Sequence, residues 1–472
     1  MDTSSAATGR QALAGLWQQA GLPPAALAQA ALNDAGPVLP TSFAVAAAAQ
    51  GSLAAAALAA AEIGHRRAPA APRQQVSVDA VAAAVECGAS LAIDGRPVDA
   101  WDKLSGLYRC GEDTGVPGWL RLHANFAHHR DGALHLLGLP EGPATERDAV
   151  TQALRGWRAE DFEAAASEAG LVVAAARSFS DWDAHPQGRA LAGAAPFTLA
   201  RLPGAAAPRP WPARGDDARP LAGLRVLELT RILAGPVAGR TLAGYGAEVL
   251  LLNSPLLPNI EHIADTSRGK LSAHVDLKTE AGRATLQAVL PQADVFLQGY
   301  RPGGLAALGF APSDVARASP GIVCVSLSAY GPAGPWAGRR GFDSLVQTAT
   351  GFNHAEAAAL GSATPKALPV QILDFAAGYL LAFAAQAALL RQRLEGGSWH
   401  VQVSLAAVGL WLRGLGRVAP AAGSPDAAPC LQDWPSGWGR LRSPGHAAHF
   451  SDTPAAWLRP AMPPGTHAAA WP

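Results

Sequence analysis

From Leu221 to about Leu405 the chain switches repeatedly between short apolar runs and longer periodic segments. "LRVLEL" (224–229), "VLLL" (249–252), "LSAHVDL" (271–277), "DVFLQG" (294–299) and "GIVCVSLSAY" (321–330) have the length and branched apolar content of strands. "AGPVAGRTLAGYGAE" (234–248) and "TEAGRATLQAVLPQA" (279–293) carry helical periodicity between them. Strands alternating with helices predict an α/β fold built on a doubly wound, Rossmann-like parallel sheet. Ligands of such sheets bind beyond the carboxyl ends of the strands, so the loops after Leu229, Leu252, Gln298 and Ser328 are the places to search.

The remainder has a different texture. Residues 1–215 are alanine-rich and then mixed, and end in "LPGAAAPRPWPARGDDARP" (202–220), which reads as a linker. We therefore divide the chain into 1–215, 216–410 and a Pro/Gly/Ala-rich tail, 411–472, expected to be irregular. Two uncharged stretches, Phe43 to Ala61 and Phe375 to Leu390, resemble membrane spans, but composition and length favour buried helices. A weak repeat relates 43–84 to 371–409: each is an Ala-rich helix, a basic end, a polar turn and a strand.

Composition narrows the function classes. The chain has 472 residues, with 37 Lys plus Arg against 37 Asp plus Glu. That balance gives no reason to expect nucleic acid or an anionic membrane as partner. Cys87, Cys110, Cys324 and Cys430 lie far apart with no CxxC, which speaks against a disulfide framework and a zinc site. The start, "MDTSSAATGRQALAGLWQQAG", lacks the basic and apolar regions of a signal peptide, so a cytoplasmic location is expected. His123, His128, His129 and His135 fit no zinc spacing, and no metal is expected. No GxGxxG exists, which removes the simplest dinucleotide reading.

Five segments occurring in order carry a resemblance: "LAGLRVLELTRILAGPVAGRTLAGYGAEVLLLN", "SRGKLSAHVDLKTEAGRATL", "YRPGGLAALGF", "GIVCVSLSAYGPAGPWAGRRGFDSL" and "ILDFAAGYLLAFAAQAALLRQR". Together they resemble the class III CoA-transferases, the CaiB/BaiF type, over about 221–405. "WLRLHANFAHHRDGALHLLGLP" and "RSFSDWDAHPQGRAL" resemble the smaller α/β domain and return segment that follow the Rossmann half in that family. The chain thus looks like a degenerate tandem fusion, in which 221–405 followed by 43–215 would make about one family unit.

The resemblance implies transfer of CoA from an acyl-CoA thioester to a free carboxylic acid. It assigns the nucleophile to Asp343 in the Gly341-Phe342-Asp343 turn, with Gly341 and Asp374 in support. A carboxylate needs no general base at neutral pH. It does need N–H donors for the oxyanion, which the glycines at 331, 334, 338 and 341 make accessible. From local pattern alone, Asp343 reads first as the N-cap of the "SLVQTATG" helix, and it is the resemblance that reverses this in favour of the nucleophile. Coenzyme A, as substrate, would meet Arg231, Arg268, Lys270 and Arg301 through its phosphates. A small-molecule acyl-CoA and carboxylic acid, and a homodimer, are the implied partners. A racemase of the same fold would carry histidine where this chain has Phe342, and phenylalanine moves no proton. Some expected polar positions are replaced: Leu251 and Asn253 stand where the family has Lys and Glu, Ala307 for a basic residue, and Gln402 for an aspartate. Those losses raise a further alternative, an inactive acyl-CoA-binding protein.

Overall fold

The computed structural model describes residues 6–472 apart from Ala89 and Ala100; the first five residues of the stretch read for a signal peptide lie outside it. In chain order the elements that position the site are α1 (Gly9–Gln19), α2 (Val45–Arg67), β1 (Gly106–Cys110), β2 (Gly118–Leu122), α3 (Ala127–Leu136), α4 (Ala159–Glu168), β3 (Val173–Ala175) and β4 (Phe197–Arg201). There follow β5 (Arg225–Leu229), α5 (Ala234–Gly244), β6 (Glu248–Asn253), β7 (Lys270–His274), β8 (Val295–Gln298), β9 (Val323–Ser328), α6 (Asp343–Ala349), α7 (Ile372–Glu395), β10 (Trp399–Ser404) and α8 (Leu405–Gly414).

The main sheet has the order β7-β6-β5-β8-β9-β10-β4. The first six strands are parallel, and β4 pairs antiparallel with β10 at the edge. Numbered from β5, the parallel strands run 3-2-1-4-5-6, the order of doubly wound dinucleotide-binding folds. Helices cover both faces, which explains why these strands read as continuous apolar runs rather than alternating ones. The order reverses between β5 and β8, and the crevice at their carboxyl ends is the natural ligand position.

The two Ala-rich stretches are the paired helices at the centre of the molecule. α2 packs along α7, and α7 also packs on α5. Both are long and apolar enough to cross a membrane, yet 89% of the apolar window of α2 and all of that of α7 are buried within the protein. Gln386 of α7 donates to the carbonyl of Ala56 on α2 at 3.0 Å, satisfying one of its polar groups inside this contact. Each helix is followed by a strand and a shorter helix: 76–78 and 80–86 after α2, β10 and α8 after α7. One apolar cluster, from Ala12 to Trp457, runs through both halves.

β1, β2 and β3 form a separate antiparallel sheet with its own core, Tyr108, Leu120, Leu134, Leu154 and Phe162 among it. This smaller domain lies on α6, through β2 and β3. The segment 202–220 has no helix or strand but is pinned: Arg209 donates to the carbonyls of Ala293 and Pro320 at 3.0 Å each. The tail departs from the expected irregular course. Leu431–Ser436 and Gly439–Pro444 form a hairpin that pairs with residues 92–93, and Ala448–Phe450 pairs with Val76–Val78. These strands are short and complete sheets begun elsewhere in the chain, so local periodicity could not reveal them.

Two charged clusters lie inside the core. Lys270 Nζ sits 2.8 Å from Glu228 Oε2, both side chains fully buried, and also donates to the Pro236 carbonyl at 2.9 Å. α5 crosses directly above, and a Cβ at Gly239 would fall 1.8 Å from Glu228 Oε2, so only glycine fits there. In the second cluster Arg240 pairs with Glu86 and Asp265, and Arg268 pairs with Asp265. Arg268 lies over the Trp457 ring at 3.8 Å. Removing one member of a buried pair strands the other charge. Lys270→Met should therefore lower the free energy of urea unfolding by about 3–5 kcal/mol, and adding Glu228→Leu should restore much of it. Unchanged stability in Lys270→Met together with weaker CoA binding would instead mark the lysine as a ligand contact.

Candidate active site

β9 ends at Ser328, and the chain then crosses the carboxyl edge of the sheet before α6 begins at Asp343. Gln187, fully buried, shapes this crossing. Its Nε2 donates to the carbonyls of Tyr330 and Ala333 at 2.8 Å each, and its Oε1 accepts from the Trp336 amide at 2.7 Å. At Gly341 a Cβ would lie 2.7 Å from that of Ala329, so the turn into α6 requires glycine.

Asp343 is the first residue of α6, and the cap position belongs to Phe342. Its carboxylate therefore does not cap its own helix. One oxygen accepts from Gln347, one turn along α6. The other accepts from the backbone N–H of Asp374 at 3.0 Å, in the first turn of α7. The carboxylate thus occupies the positive end of a second, long helix. Gln347 is itself fixed: its Oε1 accepts from the Leu368 amide at 2.9 Å and from Asn353 at 3.4 Å. Asp343 is fully buried. Burial raises its pKa to about 6, against the lowering effect of the Asp374 amide, Gln347, the Leu373 amide and the positive charge of Arg121. Asp374 meets Asp343 through its main chain. Its own carboxyl is pushed well above the usual range by burial and by Asp343.

Phe342 points to the smaller domain. His123 stacks on its ring at 4.0 Å and 12°, and Phe126 and His129 lie 6.4 and 6.3 Å away. Burial lowers His123 and His129 to about 3 each, so both are neutral at pH 7. Among the described residues no group of three or more His, Cys, Asp or Glu is arranged to hold a metal ion.

The four cations expected to meet coenzyme A divide into two pairs. Arg231 follows β5 and Arg301 follows β8, so they flank the point where the strand order reverses. Arg231 is part-buried, donates to the Pro258 carbonyl and lies 5.7 Å from the Phe126 ring centroid. Ile232 beside it has φ 73°, a strained conformation for a β-branched residue and of the kind found at functional loops. Arg301 is exposed and lines a cleft of about 240 Å³ with Trp336, Arg339 and Arg340. Arg268 and Lys270, by contrast, are enclosed in the ion pairs described above and face none of these loops. Asn253 also turns inward, donating to the Thr230 carbonyl at 3.1 Å.

Several participants escaped the sequence reading. Arg339 and Arg340 stand directly before Gly341, and their proximity to Asp343 was the available signal. Gln187 and Arg121 come from the N-terminal half, and no local pattern marks them. A larger cavity of about 800 Å³, lined by Arg214, Arg225, Glu248 and Asp294, opens at the amino ends of the strands. That is the wrong end for ligands of this architecture, and Arg225 there is paired with Glu248 at 3.3 Å.

Comparison with known proteins matches residues 221–426 to CoA-transferase family III. A relative named "Probable fatty acyl-CoA transferase" from Mycobacterium tuberculosis is 34% identical over 234 residues, 45% of this chain and 59% of its own length. An acyl-CoA transferase of Gibberella moniliformis is 34% identical over 314 residues, 62% of this chain and 54% of that protein. The crystal structure of a CaiB/BaiF family protein from Brucella suis is 25% identical over 46% of this chain and 64% of that one, with a TM-score of 0.36. The chain spans little more than half the length of these curated relatives. The matched stretch, residues 221–426, holds all six parallel strands and Asp343, and is similar to CoA-transferase family III.

Proposed function

We propose that this protein transfers CoA from an acyl-CoA thioester to a free carboxylic acid, with Asp343 as the covalent nucleophile. The observation that carries the reading is the setting of Asp343: a buried carboxylate in a family III segment, held by Gln347 and the start of α7 rather than spent on capping α6. Asp343 would attack the thioester carbonyl, giving a mixed anhydride and CoA thiolate. The thiolate would then attack the aspartyl carbonyl, forming an aspartyl-CoA thioester and releasing the donor acid. The acceptor acid would reverse both steps. Arg231 and Arg301, with the exposed Arg340 added, would meet the phosphates of coenzyme A. Because Asp343 is fully buried, a thioester would reach it only after the packing around it opens.

The racemase alternative gains little. His123 supplies an imidazole beside Phe342, but a ring with a pKa near 3 is a poor proton donor at pH 7.

Two outcomes test the proposal. Incubation with acetyl-, butyryl-, succinyl- or palmitoyl-CoA followed by hydroxylamine should leave a hydroxamate on Asp343, and Asp343→Ala should lower transfer on the order of 10³-fold or more. An inactive acyl-CoA-binding protein would yield no adduct while still gaining thermal stability from CoA. The second outcome is the pH profile. Only the carboxylate attacks, so adduct formation should rise with pH through about 6 and level off above it. A rate that stays flat down to pH 4.5 would contradict a buried, perturbed nucleophile.

A further inference from the structure

Along β2, Leu120 and Leu122 point into the core of the smaller domain. Side chains alternate on a strand, so Arg121, and His123 just past the end of β2, face the opposite way, towards α6. Arg121 is only 9% exposed, and its Nε has no hydrogen-bond partner. Its guanidinium lies 5.3 Å from the Trp101 ring centroid. Asp343 attracts it, yet among the described residues no ion pair joins Arg121 to any acid. Nearby, His123 Nδ1 and both ring nitrogens of His129 are also buried without partners. Unpartnered buried polar atoms are uncommon, and each demands a reason. Here three of them, on His123 and His129, lie beside the Phe342 ring, and the fourth, on Arg121, adjoins His123 through Trp101.

We propose that Arg121 binds the carboxylate of the acceptor acid and brings it against Asp343, after Asp343 has taken up CoA. The inference rests on Asp343 as nucleophile, and it explains the order of events by charge alone. In the free protein the negative charge of Asp343 occupies the field of Arg121. Forming the aspartyl-CoA thioester removes that charge and leaves the guanidinium without an opposing ion. An incoming carboxylate then supplies one. One of its oxygens attacks the aspartyl carbonyl, the C–S bond breaks, and CoA leaves as thiolate. The thiolate attacks the acyl carbon of the new anhydride, the C–O bond breaks, and its electrons return to Asp343 as carboxylate. One negative charge enters and one remains at every stage. The neutral His123 and His129 add hydrogen-bonding capacity without a competing positive charge.

Asp343→Asn mimics the uncharged intermediate, so the proposal can be tested without turnover. Acetate and succinate, titrated calorimetrically at fixed ionic strength, should bind Asp343→Asn about tenfold more tightly than the wild type. Adding Arg121→Met should abolish that gain, and adding Arg121→Lys should retain part of it. Far-UV circular dichroism establishes that each variant is folded. If Arg121→Met does not fold, Arg121→Lys alone must weaken acetate binding severalfold. Equal affinity with and without Arg121, or no saturable binding to Asp343→Asn, overturns the inference. Carboxylate binding that follows Arg121 while no acyl-CoA ever labels Asp343 would keep this site and remove the nucleophile. Labelling of Asp343 with binding indifferent to Arg121 would do the reverse.

Discussion

Alanine at nearly half the positions of α2, and at several of α7, lets the two helix backbones approach closely, and that packing draws segments more than 300 positions apart into one core. α7 buries its length against α2 and α5, and its amino end supplies the N–H that holds Asp343. The same helix therefore joins the two halves and orients the reactive group. The smaller domain, also from the N-terminal half, rests on α6 through β2 and β3. The candidate site is in this sense a consequence of helix packing, assembled from both ends of the chain.

Charge inside this core follows a consistent economy. Lys270 with Glu228, and Arg240 and Arg268 with Asp265, are buried in direct contact with opposite charges. Such pairs hold geometry, because removing one member strands the other charge. Arg121 breaks the pattern, being buried with an unpartnered Nε and no acid in contact. Asp343 is buried with two hydrogen bonds and no ion pair among the described residues. Arg121 belongs to a strand of the smaller domain and Asp343 to the helix on which that domain rests. A protein tolerates that expense where a reaction supplies the missing charge.

The strands from Leu224 to Tyr330, the parallel sheet they build and the buried nature of the two Ala-rich helices were all legible in the sequence, because each is a matter of local periodicity and composition. The Gly-Phe-Asp turn stood out only through the resemblance to class III CoA-transferases, since local pattern alone reads Asp343 as a cap. Tertiary structure alone decided the rest. Whether Asp343 caps its own helix depends on the amide of Asp374, 31 residues away. Whether Lys270 meets a phosphate or a carboxylate depends on Glu228, two strands across the sheet. The hairpin of the tail and the placement of Arg121 and Gln187 depend on partners still more distant in sequence. Local pattern reports which face of an element is apolar. The availability of a charge for chemistry depends on what lies within a few ångströms of it, and only the folded chain brings those neighbours together.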